Sequence, residues 1–245
     1  MNLSKSRLPV ITAALGIAAC ILRFCLYRFG TDEKGLLIPG HPLSLALWGL
    51  TAAAAVFVLL QVWKQNGKYC RSGNFGGRNT AMAGCLVFAA GLLVTAVKNI
   101  TAYTTLEFLR NITGLLAVPA LMAVAFCRKT GKRPFFGFHA IVCIALTLHT
   151  VSRYSGWSSR PQLQDSFFPM LGCLLLMLFS YYQTASDVLM GSRRMQLGTG
   201  LLAAFTCFAA IPGSDTALLY LTGGIWALTN LSAPTPKTEN KEERQ

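Results

Sequence analysis

Pro42-Leu43-Ser44-Leu45-Ala46-Leu47-Trp48-Gly49-Leu50-Thr51-Ala52-Ala53-Ala54-Ala55-Val56-Phe57-Val58-Leu59-Leu60-Gln61-Val62-Trp63 runs without one charged side chain. About 20 such residues wound as a helix cross the roughly 30 Å hydrocarbon core of a bilayer. A helix is the form expected here, because lipid offers backbone N–H and C=O groups no partner outside their own segment. Working outward, runs of the same kind recur along the chain. They cover about 8–29 before it, then 80–97, 112–127, 135–151, 167–190, 197–211 and 216–231. The fold class read from this pattern is all-α, a polytopic transmembrane bundle of about eight helices occupying 1–231.

Composition agrees. Hydrophobic residues make up 53% and charged residues only 13% of the chain, about half the usual charged share and too little to cover a soluble surface. The net charge of +13 would point to nucleic acid in a soluble protein. Here the basic residues lie in short segments between apolar runs, so no nucleic-acid partner is expected. The partners expected are the lipid bilayer itself and either a small solute or another membrane protein.

Charge also orients the chain. With eight spans, one side of the membrane collects Lys5, Arg7, Lys64, Lys68, Arg71, Arg78, Arg128, Lys129, Lys132, Arg133, Arg193, Arg194, Lys237, Lys241 and Arg244. The other side holds only Arg28, Lys34, Lys98, Arg110, Arg153 and Arg160. Basic loops mark the cytoplasmic face, so both termini are expected in the cytoplasm and the chain in the plasma membrane. The Pro-, Lys- and Glu-rich segment 232–245 is expected to be a disordered cytoplasmic tail.

Two alternatives bear on the count. Lys5 and Arg7 before an apolar run also describe a signal peptide, and Ile17-Ala18-Ala19-Cys20 has the form of a lipoprotein cleavage site. The run continues to Phe29, which favours an uncleaved span. The last two runs are shorter than a bilayer asks for, so a re-entrant hairpin competes with two full crossings. Pro119 is expected to kink the fourth helix, whereas Pro169 falls harmlessly in the first turn of the sixth.

Few residues invite a chemical reading. Arg23 is a charge inside a span, costing about 2.5–3.5 kcal/mol if central. It serves either as a snorkelling or paired structural cation, or as a ligand contact. A polar set falls on the outer side: Asp32, His41, Glu107, Arg110, His149, Arg153, Tyr154, Trp157, Arg160 and Asp165 among others. Arg23, Glu107, His149, Arg153 and Trp157 are the candidate ligand-binding residues, suited to a small anionic or aromatic solute. The plainer reading is an interface belt of aromatic and charged side chains.

On the sixth span Ser180, Gln183, Thr184 and Asp187 share a helical face. Gln183 and Asp187 form a candidate inner cluster. Either Asp187 is paired with Arg193 or Arg194 just beyond it, or it is a proton or cation site. His139 and His149 lie about 15 Å apart along one helix and cannot share a metal.

No metal and no cofactor are expected. Of the eight cysteines all but Cys70 lie in or beside apolar spans, with no zinc spacing, and free thiols are expected. No nucleophile-and-base motif is found, so the chain reads as non-enzymatic.

The run Asp32-Glu33-Lys34-Gly35-Leu36-Leu37, followed by Gly40-His41-Pro42, resembles a segment of uncharacterised bacterial multi-pass membrane proteins, as does the Arg153 to Asp165 loop. The resemblance implies a bacterial inner-membrane location and brings no activity with it. Two functions remain: binding or moving a small solute through a polar outer cavity, or acting as an accessory or sensory module through helix contacts.

Overall fold

A computed structural model describes residues 7–32, 36–38, 40–64, 79–98, 104–157, 166–188 and 191–231, with the side chains of 156 and 157 excepted. These residues form eight helices: α1 (Arg7–Phe29), α2 (Pro42–Trp63), α3 (Asn79–Lys98), α4 (Thr105–Thr130), α5 (Phe136–Trp157), α6 (Phe167–Asp187), α7 (Arg193–Ala210) and α8 (Ala217–Leu231). Among the described residues the one β-pairing is a single bridge between Thr31 and Leu37, ahead of α2. The expected tail at 232–245 lies outside the described residues, as do Arg160 and Asp165.

The bundle has two lobes that meet at α7 and α8. Helices α1 and α2 pack on α7, and α3 to α6 each pack on the next in chain order, with α8 against α3 and α7 against α6. Trp226 of α8 is the centre of the second lobe. Its ring stacks on Phe88 of α3 at 4.8 Å and meets Phe179 of α6 edge-on at 5.0 Å, with His139 of α5 at 6.5 Å.

Close approach of α3 to α8 depends on glycine. A Cβ on Gly84 would run into Thr229, and one on Gly91 into Thr222. Each pair is one heptad along, so the two helices stay in contact over two turns and run antiparallel. The two threonine hydroxyls bond back to Ile225 O at 2.9 Å and Leu218 O at 2.8 Å, so neither hydroxyl is stranded at the seam.

Six helices, α1 to α6, are long and apolar enough to cross a membrane, and the chain is multi-pass on that basis. α7 and α8 are not among them; α7 is enclosed, whereas α8 leaves Leu218 and Leu221 exposed. α7 is buried on every side from Ala203 to Ala210. Near its start Gly198 lies against Val62 at the end of α2, and near its finish Ala209 meets Arg23 of α1. It therefore runs alongside its longer neighbours. A helix wrapped by other helices faces little lipid, so its length is not held to the apolar span that lipid demands. The outward faces of the other helices carry exposed Ile17, Ile21 and Phe24 on α1, Val56, Leu59 and Leu60 on α2, and Leu116, Met122 and Phe126 on α4.

The fourth helix starts seven residues before the apolar run at 112. Thr104 and Glu107 form a capping box, each side chain bonding the other's backbone N–H at 3.3 and 3.2 Å. This satisfies two of the free donors of the first turn and fixes the start. α4 continues as one helix through Pro119 to a left-handed Gly131, whose N–H returns to Cys127 O.

Candidate functional site

The early start of α4 carries Arg110 into the bundle. It is buried beside the last turns of α5, where Nη1 donates to Ser152 Oγ at 3.2 Å and Nε to the neighbouring Asn111 Oδ1 at 3.3 Å. His149 and Arg153 stand one turn apart on the same face of α5. His149 is only 6% exposed, and both Arg110 and Arg153 are close enough to act on it electrostatically. Arg153 Nη1 reaches Asp215 Oδ2 at 3.3 Å across to the α7–α8 turn, where the acid is 72% exposed.

Two buried nitrogen atoms in this group, His149 Nε2 and Arg153 Nε, have no hydrogen-bond partner. Buried polar groups are normally satisfied, so two orphans on one helix turn beside a second arginine leave donor capacity unused at this end of the bundle. Arg128 Nε and both His139 ring nitrogens are likewise unpartnered at the other end, where Asp187 already supplies the anion. Glu107 lies one turn before Arg110 and acts on it, with its carboxylate engaged at the α4 cap.

Arg23 lies in a different group. It belongs to the buried stripe of α1 that also includes Thr12, Gly16, Ala19 and Leu26. Its Nη1 donates to Ala209 O at 2.8 Å and its Nη2 to Tyr27 Oη at 2.9 Å. Its guanidinium lies over the rings of Tyr27 and Phe168, at 5.4 and 5.2 Å. Ala209 O is among the last carbonyls of α7, which an α-helix leaves without a partner. Arg23 therefore closes the end of α7, a structural use of a buried cation.

The 211–216 turn sits between the two groups. Gly213 takes a left-handed φ of 72° with Tyr27 packed where a Cβ would stand, and Asp215 meets Arg153. The expected set Arg23, Glu107, His149, Arg153 and Trp157 is thus divided. His149 and Arg153 stand together, Glu107 flanks them, and Arg23 acts on the opposite side of the turn. The Trp157 side chain lies outside the described residues.

At the far end of α4, Arg128 and Asp187 of α6 form a buried ion pair with 2.8 Å between Nη2 and Oδ1. The same Nη2 reaches Gln183 Oε1 at 3.3 Å, so Gln183 and Asp187 belong to one cluster. His139 Nε2 stands 3.4 Å from Asp187 Oδ2. Neither ring nitrogen makes a hydrogen bond, so that contact is electrostatic only. Ser180 donates to His139 O at 3.3 Å. Asp187 takes its cation from α4, and neither Arg193 nor Arg194 supplies it. Arg110 and Arg128 are five helical turns apart, so the two polar clusters share one face of α4, about 27 Å from end to end.

Arg128 is the contributor absent from the sequence reading's polar sets, and Arg110 stood in the outer polar set without being singled out as a ligand contact. The Thr104–Glu107 capping box was the available signal for Arg110. Arg128 had none, because nothing local distinguishes it from Lys129. Among the described residues no group of three or more His, Cys, Asp or Glu side chains could hold a metal ion, and Cys20, Cys25, Cys85, Cys127, Cys143, Cys173 and Cys207 are free thiols. In comparisons with known proteins, no family model, no curated protein and no solved structure matches this chain.

Proposed function

We propose that the chain is a non-catalytic multi-pass protein of a bacterial plasma membrane, with both termini in the cytoplasm. In this reading it binds or moves a small anionic solute at its outer end. The observation that supports it is the convergence of Arg110, His149 and Arg153 with two buried nitrogen atoms that the protein itself leaves unpartnered. Basic groups buried beside one another repel, and an anion between them removes that penalty. The charge pattern of the loops supports an outward-facing position for this end.

The experiment is an unfolding screen of the detergent-purified protein against small anions. A ligand at a hundred times its dissociation constant adds about 2.7 kcal/mol to stability. Stabilisation lost in Arg110→Gln and in His149→Leu supports the site. A flat response from a broad set of anions sinks it.

One observation favours the accessory-module reading. Pro42, Ala46, Gly49, Ala53, Val56 and Leu60 form an exposed face of α2, and nothing lies within 4 Å of a Cβ built on Gly49. Small residues on a lipid-facing stripe let a partner helix approach closely. Cysteine crosslinking at Ala46 and Ala53 in membranes tests it, and an absence of any crosslinked species removes the support.

A further inference from the structure

We infer that the solute at this end is a planar oxyanion carrying a single negative charge, the chemistry of a carboxylate, held on Arg153 Nε and His149 Nε2. The inference rests on the anion-site reading above and names the ligand class. It begins with how Arg153 is used. Asp215 touches Nη1, the corner of the guanidinium turned away from Nε. The side-on edge of an arginine, formed by Nε–H and Nη2–H, is the edge that takes a carboxylate with two parallel hydrogen bonds. In Arg153 that edge keeps its Nε buried and unpartnered. Asp215 thus holds the guanidinium by one corner and leaves the opposite edge for a ligand.

His149 adds the second donor. It sits one turn earlier on the same face, and its buried Nε2 has no hydrogen-bond partner; with the ring proton on Nε2 it offers a second donor. Two donors on one face suit two oxygens of one planar group.

Charge selects the valence. Asp215 answers Arg153 from solvent and Glu107 lies beside Arg110, whose own hydrogen bonds go to the uncharged Ser152 and Asn111. At most one positive charge is left to answer, which matches a monoanion and disfavours a dianion. Chloride brings one charge but no pair of oxygens.

The test measures the shift in unfolding temperature of the detergent-purified full chain with sodium propionate, nitrate, sulfate and chloride at matched ionic strength. Arg153→Lys keeps the charge and removes the Nε–H edge. Expected are a shift with propionate or nitrate, little with sulfate or chloride, and about a tenfold or greater loss of affinity in Arg153→Lys. Propionate binding more tightly than nitrate assigns an organic acid, and the reverse assigns an inorganic planar anion.

If Arg153→Lys does not fold, His149→Gln, which keeps a donor near the same place, should retain binding that His149→Leu loses. Chloride and sulfate acting as well as propionate, with Arg153→Lys or His149→Leu unchanged, overturns the carboxylate assignment and leaves an anion site standing. No response to any anion overturns both.

Discussion

Arg128 and Asp187, 59 residues apart in the chain, stand 2.8 Å apart in the fold and tie α4 to α6 where the two helices meet α5. The Asp187 side chain is 3% exposed and that of Arg128 13%, so the carboxylate is removed from water and the guanidinium largely so. The pair is therefore governed by desolvation as much as by attraction, and its two halves are not equivalent to its whole.

Removing one partner strands a buried charge. Asp187→Ala should lower stability by about 3–5 kcal/mol, whereas the double replacement Arg128→Met with Asp187→Leu should fall much closer to the parent. Reversible denaturation in mild detergent gives both numbers. A single replacement as mild as the double one would mean that the pair is already solvated.

The α3–α8 seam makes a second prediction. Gly91→Val places a branched side chain where the Thr222 side chain now lies, and relieving the clash by parting the helices would also open the contact at Gly84. Overpacking of this kind costs about 1–3 kcal/mol. Thr222→Ala in the same chain should return part of the loss. Unchanged thermal unfolding in Gly91→Val would show that the two helices are not held this closely.

How much of this was legible beforehand depends on the range of the interaction. The eight helices follow from apolar runs, which are local, and Arg23 and Asp187 were conspicuous because a charge in an apolar run is itself a local signal. Their partners were not visible. Arg23 meets a backbone carbonyl of Ala209 and Asp187 meets Arg128, both across distant stretches of chain with no shared period. The start of α4 could have been read from Thr104-x-x-Glu107, which is local, and Arg110 would have moved from a loop into the bundle. The shortness of the apolar run in α7 could not be assigned to enclosure until its neighbours were known.

Arg23 should matter for one end of α7 more than for the whole bundle. Arg23→Met keeps much of the apolar stem against Phe168 and removes the donor to Ala209 O. A charge-assisted bond to a buried carbonyl is worth about 1.5–3 kcal/mol. Amide exchange of the 211–216 turn and the last turn of α7 should accelerate, while α3 and α8 keep their protection. Uniform acceleration throughout would instead make Arg23 a global support.

Orientation is the assignment on which the solute reading depends, and two exposed positions separate the alternatives. Asp215 lies on the α7–α8 turn, and Lys129 lies at the opposite end of α4. The loop charges predict that the first faces outward and the second inward. With the native cysteines replaced, Asp215→Cys in intact cells should react with a membrane-impermeant maleimide. Lys129→Cys should react only after permeabilisation. Asp215 contributes an exposed ion pair worth about 0–1 kcal/mol, so its replacement leaves the fold available for the measurement. The reverse labelling pattern would turn the Arg110, His149 and Arg153 group toward the cytoplasm. The anion would then be met from inside, and the Arg128–Asp187 pair would become the outward-facing cluster.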